Sequence, residues 1–394
     1  FMKKATLIQF PVLAGLFLAG LALGQAQRSI DVDVFDAGEV KAIPVALEGF
    51  TGETLALLKF DLFVQGFEFV DKAKAQFTIK GSNAGSINGA VYDHVKRGFI
   101  LNKRYRGGSL RLLAHTFANN AVEAITGSPG IGLTKIAFRQ FHGRDTEIHV
   151  ADFDGHNSKR LTHDNSIAAG PEWTPNNDSL FYYSYRRHNP DIYSHNVHTG
   201  VRRIVARYSG SNISPAVSPD GRRVAMVLSK AGSPDIWAAS ADGTGLRRLT
   251  TTKEAESSPC WSPDGRWICF VSRAGGRTAL YKIPANGGAM SRIRTVGAFN
   301  ATEPDWSPDG KAIVFTTMRG GGVFEICIVP PGGGNVEVLA TGEDPSWAPN
   351  SRTLMFTSRS RGKRVLSVLD VPTKRVKTLP RSFPGNCTQA AWSK

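Results

Sequence analysis

Cysteine is scarce in this 394-residue chain: Cys260, Cys269, Cys327 and Cys387 are the full set, and none stands in a CxxC spacing. That excludes a thioredoxin-like dithiol and a zinc site of ordinary cysteine spacing. The sequence also has no GxSxG elbow, no GxGxxG and no GxxxxGK[ST], so a nucleophile-elbow hydrolase and the common nucleotide folds are set aside. Acidic residues are in deficit, 33 against 48 Lys and Arg, which leaves a formal charge of +15. The bases are scattered, as in Arg202-Arg203, Arg222-Arg223, Arg247-Arg248 and Arg359 to Arg364, without aromatic interleaving. This pattern fits a solvated basic surface, or one facing an anionic envelope surface or an acidic protein, and argues against nucleic acid. Beyond residue 26 no apolar run is long enough to span a membrane.

The first 26 residues do hold such a run. Lys3 and Lys4 precede an apolar stretch from Ala5 to Leu23, and Gly24-Gln25-Ala26 supplies small residues for cleavage. This reads as a signal peptide over 1–26 and predicts an exported, periplasmic product; the alternative is an uncleaved anchor, disfavoured by Pro11, Gly15 and Gly20. In an oxidising compartment Cys260 and Cys269, on neighbouring strands of one expected hairpin, could pair or remain buried thiols, and sequence leaves both readings open. With 41% hydrophobic residues the chain has ample material for two domains.

What the sequence does have is a repeat. Aligning "PCWSPDG" at Pro259 with "PDWSPDG" at Pro304 brings Trp173, Val217, Trp261, Trp306, Trp347 and Trp392 into register, at spacings of 44, 44, 45, 41 and 45 residues. A period in the low forties with several short strands per unit predicts a β-propeller over 131–394 with one four-stranded blade per unit. In the unit at Pro259, "RWICFVS", "TALYKIP" and "MSRIRTV" read as second, third and fourth strands, separated by "RAGGR" and "ANGG" turns. The Ser262 to Gly265 segment reads as a type I turn in which Pro263 presets φ, Asp264 bonds the local backbone and Gly265 takes positive φ. "TPNN" at Thr174 and "APNS" at Ala348 are variants of the same turn. The tryptophan before it is expected to wedge between adjacent blades. From Thr134 the chain supplies second, third and fourth strands without a first, and "TQAAWSK" at Thr388 supplies a first strand alone. Six blades follow, with the ring closed by the carboxy-terminal strand.

Residues 27–130 have another texture. "RSIDVDVF" and "AIPVALEGF" read as strands, "TGETLALLKFDLFVQG" as a helix, "EFVDKAKAQFTIKGS" and "GAVYDHV" as strands, and "GSLRLLAHTFANNAVEAITG" as an amphipathic helix ended by Gly127. A small α/β amino-terminal domain is expected.

Candidate chemistry is sparse. His142, His149, His156 and His163 recur every seven residues, which across strands and turns predicts no common face and no shared metal site. "DFDGHN", Asp152 to Asn157, lacks the closing glutamate of a calcium loop and sits where other units place "ADGTG" and "ANGG", so it reads as a hairpin turn. No catalytic, metal or cofactor residues are proposed.

Signal peptide, short α/β domain, the junction "LRLLAHTFANNAVEAITGSPGIGLTKIAF" from Leu110 to Phe138, six P-x-W-S-P-D-G-type repeats and the final "AAWSK" together resemble the TolB family of the bacterial Tol-Pal envelope system. The resemblance implies a monomeric, non-enzymatic scaffold without cofactors. Its propeller would bind a Pal-like peptidoglycan-associated lipoprotein, and its amino-terminal extension a TolA-like inner-membrane protein, in support of outer-membrane integrity and constriction at division. The second role falls on Arg28, Ile30, Val32 and Val34, which also read as an ordinary first strand. The first falls on connections leading into each first strand: Ser211 and Asn212; Glu256, Ser257 and Ser258; Asn300, Thr302 and Glu303. The alternative is a TolB-like propeller acting as an envelope glycan- or peptide-binding protein or hydrolase.

Overall fold

The computed structural model describes residues 40–380 and 383–394. Arg28, Ile30, Val32, Val34 and the expected signal peptide lie outside the described residues. The chain begins its described course with β1 (Ile43–Glu48), α1 (Gly52–Phe63), β2 (Phe67–Phe69), β3 (Phe77–Ser82), β4 (Ile87–Asp93), β5 (Gly98–Tyr105) and α2 (Leu110–Thr126). The sheet order is β2-β1-β3-β4-β5, with β1 parallel to both neighbours and the other pairs antiparallel. Leu58 and Leu62 of α1 and Phe117 and Ala121 of α2 bury against Val45, Ile79 and Val91, giving this α/β layer its own core. Ser109 caps α2 by accepting the Leu112 amide at 3.2 Å, and Gly127 ends it at φ 74°. The strand β5 was not expected from sequence: it is an edge strand exposing Asn102, Lys103 and Arg104, and that charge hides its alternation.

From Lys135 onward the chain forms six four-stranded antiparallel blades. Their first strands are Ala168–Trp173, Asn212–Val217, Glu256–Trp261, Thr302–Trp306, Glu343–Trp347 and Cys387–Trp392. The last of these pairs with Lys135–His142, Trp392 opposite Ile136 and Cys387 opposite Gln140, so one blade is built from both ends of the propeller segment. Each first strand touches the first strands of its two neighbours, and the ring is closed.

The turns after the aromatic position behave as the residues dictate. Gly265 donates its amide to the Ser262 carbonyl at 2.9 Å with φ 67°, Asp264 accepts the Arg266 amide, and the Ser262 hydroxyl closes on Asp264 at 2.6 Å. Ser218–Gly221 and Ser307–Gly310 repeat this, while Asn177 and Ser351 take the positive φ in the two variant turns. The indole of each interblade tryptophan is both packed and bonded. Trp261 Nε1 donates to Ala216 O at 2.9 Å, Trp347 Nε1 to Asp305 O at 3.3 Å and Trp173 Nε1 to Ala391 O at 3.2 Å, in each case the carbonyl just before the aromatic position of the preceding blade. Trp306 differs by bonding Gly310 O in its own turn.

One blade departs from the expected strand pattern. The fourth strand read in "MSRIRTV" splits: Ser291–Arg292 stays in its blade, while Thr295–Val296 leaves it to pair in parallel with Gly334–Asn335 of the next. Gly333 and Gly334, at φ 84° and 148°, let that backbone approach Arg294 closely. Cys260 and Cys269 stand directly opposite each other on their hairpin, and all four cysteines are free and buried.

The α/β layer seats on the mouth of the ring that carries the Ser-Pro-Asp-Gly turns, called here the turn mouth. Phe60 and Val64 join Phe153, Met355 and Trp392 in one apolar cluster, Thr353 Oγ1 donates to Val64 O, and Arg375 Nη1 donates to Phe67 O at 2.8 Å. Asp154, in the turn at Asp152 to Asn157, sends its buried carboxylate to Arg111 and lies 3.7 Å from His115, whose other ring nitrogen is 2.7 Å from buried Asp61. Burial pushes Asp61 up, whereas the Arg111 guanidinium outweighs burial and holds Asp154 low.

Trp347→Ala empties a nearly closed interblade site and drops the bond to Asp305, so we expect a loss of roughly 3–5 kcal/mol in denaturant unfolding. Trp306→Ala is expected to cost less, since its indole bonds no neighbouring blade. Burial raises Cys327 and Cys387 to about 12, so thiol reagents should leave the native chain almost untouched and titrate four thiols after unfolding. A count of two would instead establish a Cys260–Cys269 bridge.

Candidate functional site

Three residues before each last first-strand position, the five tryptophans and Val217, every blade carries a residue in the left-handed region: Gly170 (φ 61°), Ser214 (50°), Ser258 (50°), Glu303 (52°), Asp344 (56°) and Gln389 (52°). A proline follows in five of the six, at positions 171, 215, 259, 304 and 345, and Ala390 in the sixth. The pairing register shifts at this place in all six blades, as between Ser257 and Cys260, which marks a bulge. Proline suits a bulge because it has no N–H to withdraw from the ladder. Left-handed backbone at non-glycine residues costs free energy, so its repetition reflects the ring's geometry rather than local preference.

These six residues form a tier of the central channel, a cavity of about 370 Å³. On one side of the ring they hold one another. The Glu303 carboxylate accepts the Asp344 amide at 3.0 Å, the Asp344 carboxylate accepts the Gln389 amide at 3.1 Å, and the Gln389 side-chain oxygen accepts the Gly170 amide at 3.2 Å. Each bond therefore runs from one blade to the left-handed residue of the next. Burial, then the adjacent Glu303 carboxylate, pushes Asp344 well above the usual carboxylate range.

A second tier, one residue before the aromatics and nearer the turn mouth, contains Glu172, Cys260 and Asp305, with Lys394 below it. Asp305 accepts the Trp347 amide at 2.8 Å, and Lys394 exchanges two backbone bonds with the Asn177 side chain. Burial pushes Glu172 up to about 7 although Lys394 opposes it. Burial works against the Lys394 ammonium, but Asp305 and Glu172 outweigh it and raise its pKa.

The connections singled out in the sequence divide here. Ser258 and Glu303 line the channel. Ser257 and Thr302 flank them, half-buried, and Asn300 is exposed at φ 55° on the same rim. Ser211 is half-buried and tied to Ser229 Oγ. Asn212 and Glu256 are turned inward: Asn212 clamps the Tyr208 amide and carbonyl, and Glu256 accepts from Thr250, Thr252 and Ser272. Neither presents its side chain to a partner, because strand pairing begins at those positions. Sequence reasoning missed Gly170, Ser214, Asp344 and Gln389, although the tryptophan alignment puts all four in the register of Ser258 and Glu303.

The histidines need a correction. His142 and His149 do share a face, their Nε2 atoms 3.1 Å apart and their rings stacked at 5.4 Å, because a tight hairpin folds the seven-residue spacing back on itself. Burial, then His142 and Arg160, press His149 down to about 4. Among the described residues no three His, Cys, Asp or Glu side chains converge as a metal site.

Residues 122–394 match the family model described as the TolB β-propeller domain. The chain belongs to the TolB family. Its sequence is 35% identical over 162 residues to the Tol-Pal system protein TolB of Desulfosudis oleivorans, covering 41% of this chain and 37% of that protein. To the protein of that name from an Anaeromyxobacter strain it is 36% identical over 149 residues, 38% and 34% of the two chains. The matched segment thus spans little more than a third of these relatives. The crystal structure of TolB from Acinetobacter baumannii superposes with a TM-score of 0.81 over 90% of this chain and 97% of that one, at 23% identity, so the two share the fold of α/β layer and six-bladed ring.

Glu172→Gln mimics the protonated acid. In the native chain Glu172 holds its proton to about 7, while unfolded it releases it near the ordinary value of 4.5, so ionisation costs stability as pH rises between these limits. The variant should raise Tm more at pH 8 than at pH 5 and flatten the decline between them in a thermal melt series.

Proposed function

We propose that this TolB-family chain is a non-enzymatic periplasmic scaffold of a Tol-Pal system. Its propeller docks a Pal-like peptidoglycan-associated lipoprotein, and its amino-terminal extension, around Arg28 to Val34, engages a TolA-like inner-membrane protein. The chain thereby supports outer-membrane integrity and envelope constriction at division. The observation that carries the reading is the mouth opposite the α/β layer. There the six first strands begin, Ser258 and Glu303 line the channel, and Ser257, Asn300 and Thr302 stand on the rim. A rigid ring with interblade bonds between its left-handed residues keeps this surface pre-organised, which lowers the ordering cost of binding. The family membership and the names of the relatives supply the partner class.

The test is titration of the full chain with the soluble domain of the Pal-like lipoprotein encoded by the same genome, followed by calorimetry. Ser257→Arg and Asn300→Arg, both on the rim, should each weaken binding about tenfold or more by inserting an uncompensated charge. Lys72→Glu, on the exposed surface of the α/β layer, should leave it unchanged. Absence of binding by the unaltered chain would sink the reading.

A further inference from the structure

In an antiparallel blade the hairpin between second and third strands returns to the end of the ring where the first strand begins. The six hairpins therefore surround the mouth opposite the α/β layer, called here the hairpin mouth. Each carries an exposed base at or beside its tip: Arg144, Arg187, Lys230, Arg273, Arg319 and Arg361. Among the described residues of these hairpins and of the neighbouring connections into the first strands, the one exposed acid is Glu254. The turn mouth differs, because its charges alternate in sign, as in Asp264 with Arg266 at 2.6 Å and Asp309 beside Lys311. Six exposed bases, one from each hairpin, thus form a ring on this face.

Two of these hairpins, and the connection that holds Phe299, carry apolar side chains left exposed among the described residues. Phe299 is 65% exposed, Met318 46%, Val323 44% and Tyr185 37%, and the Arg277 guanidinium lies 5.8 Å from the Phe299 ring. Bases interleaved with exposed aromatic and aliphatic tips are the composition of a surface that rests on anionic lipid, where the bases meet phosphates and the apolar tips enter the headgroup layer. The geometry agrees. A ring of six similar hairpins is engaged all at once by a plane, whereas a globular partner reaches one sector of it. The carboxylates of the channel are recessed behind the rim and do not meet a flat surface.

We propose that the hairpin mouth is a docking face for an anionic bilayer surface, with the hairpin bases as phosphate contacts and Phe299, Met318, Val323 and Tyr185 as shallow apolar anchors. Each base near such a surface adds roughly fivefold to partitioning, so the ring as a whole gives binding that salt removes. This surface shares the mouth on which the lipoprotein docking is proposed, Phe299 being next to Asn300, so the bilayer and the lipoprotein are alternative occupants of it.

The experiment is cosedimentation of the full chain with phosphatidylcholine vesicles, with and without about 30 mol% phosphatidylglycerol, at about 0.1 and about 0.5 M salt. Binding is expected to the anionic vesicles alone and to fall steeply at the higher salt. The combined variant Arg187→Glu, Arg273→Glu and Arg361→Glu should lose about a hundredfold. The variant Arg222→Glu, Arg266→Glu and Lys311→Glu, with the same change in net charge on the turn mouth, should bind within a few-fold of the unaltered chain, and matching melts for both confirm folding. Phe299→Ser with Met318→Ser should reduce the binding that survives at higher salt. Equal loss in the two charge variants, or no binding to anionic vesicles, overturns the proposal. Failure here with lipoprotein binding intact removes this inference alone.

Discussion

A four-stranded blade has two apolar faces and no means of covering either by itself, so every blade depends on the edge it shares with its neighbour. That edge is made at the first strand, where an indole fills the space between blades and its N–H reaches back to a carbonyl of the preceding strand, as Trp261 does to Ala216 and Trp347 to Asp305. Because the requirement is the same at every edge, the chain has to close. Cys387–Trp392 therefore returns to Lys135–His142, with Trp392 stacked near Phe153 and bonded to Thr134.

Closure also shapes the centre. Six first strands converging on one axis bulge at the same point, and the bulge fixes six residues in the left-handed region that most of them do not favour. On one side of the ring the interblade bonds from Glu303, Asp344 and Gln389 tie four of these residues together. Burial and the nearby Glu303 carboxylate raise Asp344, and deeper in the channel Glu172 and Asp305 act on Lys394. The α/β layer meets the turn mouth at the last and closing blades through Phe60, Val64 and the Asp154–Arg111 pair, and the hairpin mouth lies at the other end of the ring.

Much of the architecture was legible in the chain because it rests on local chemistry repeated at a fixed period. Pro263, Asp264 and Gly265 specify their turn wherever they occur, and five tryptophans with Val217 in register at near-constant spacing specify six blades. The edge strand Gly98–Tyr105 escaped notice because solvated charge breaks its pattern, and Thr295–Val296 because its partner, Gly334–Asn335, belongs to another blade. Candidate contacts were half legible: Ser258 and Glu303 do line the channel, whereas Asn212 and Glu256 look like polar loop residues and are interior bonding groups.

By itself the sequence determined the repeat, the turn chemistry, the closing strand and the helices of the amino-terminal layer, since each depends on neighbours within a few residues or on simple periodicity. Only the tertiary structure decided which polar side chains face the channel, that His142 meets His149, and that scattered bases such as Arg144, Lys230 and Arg361 gather on one face. Those outcomes depend on which end of a strand points to which mouth and on how far each blade turns about the axis. Both are set by the packing of all six blades together, so no single stretch of the chain carries them.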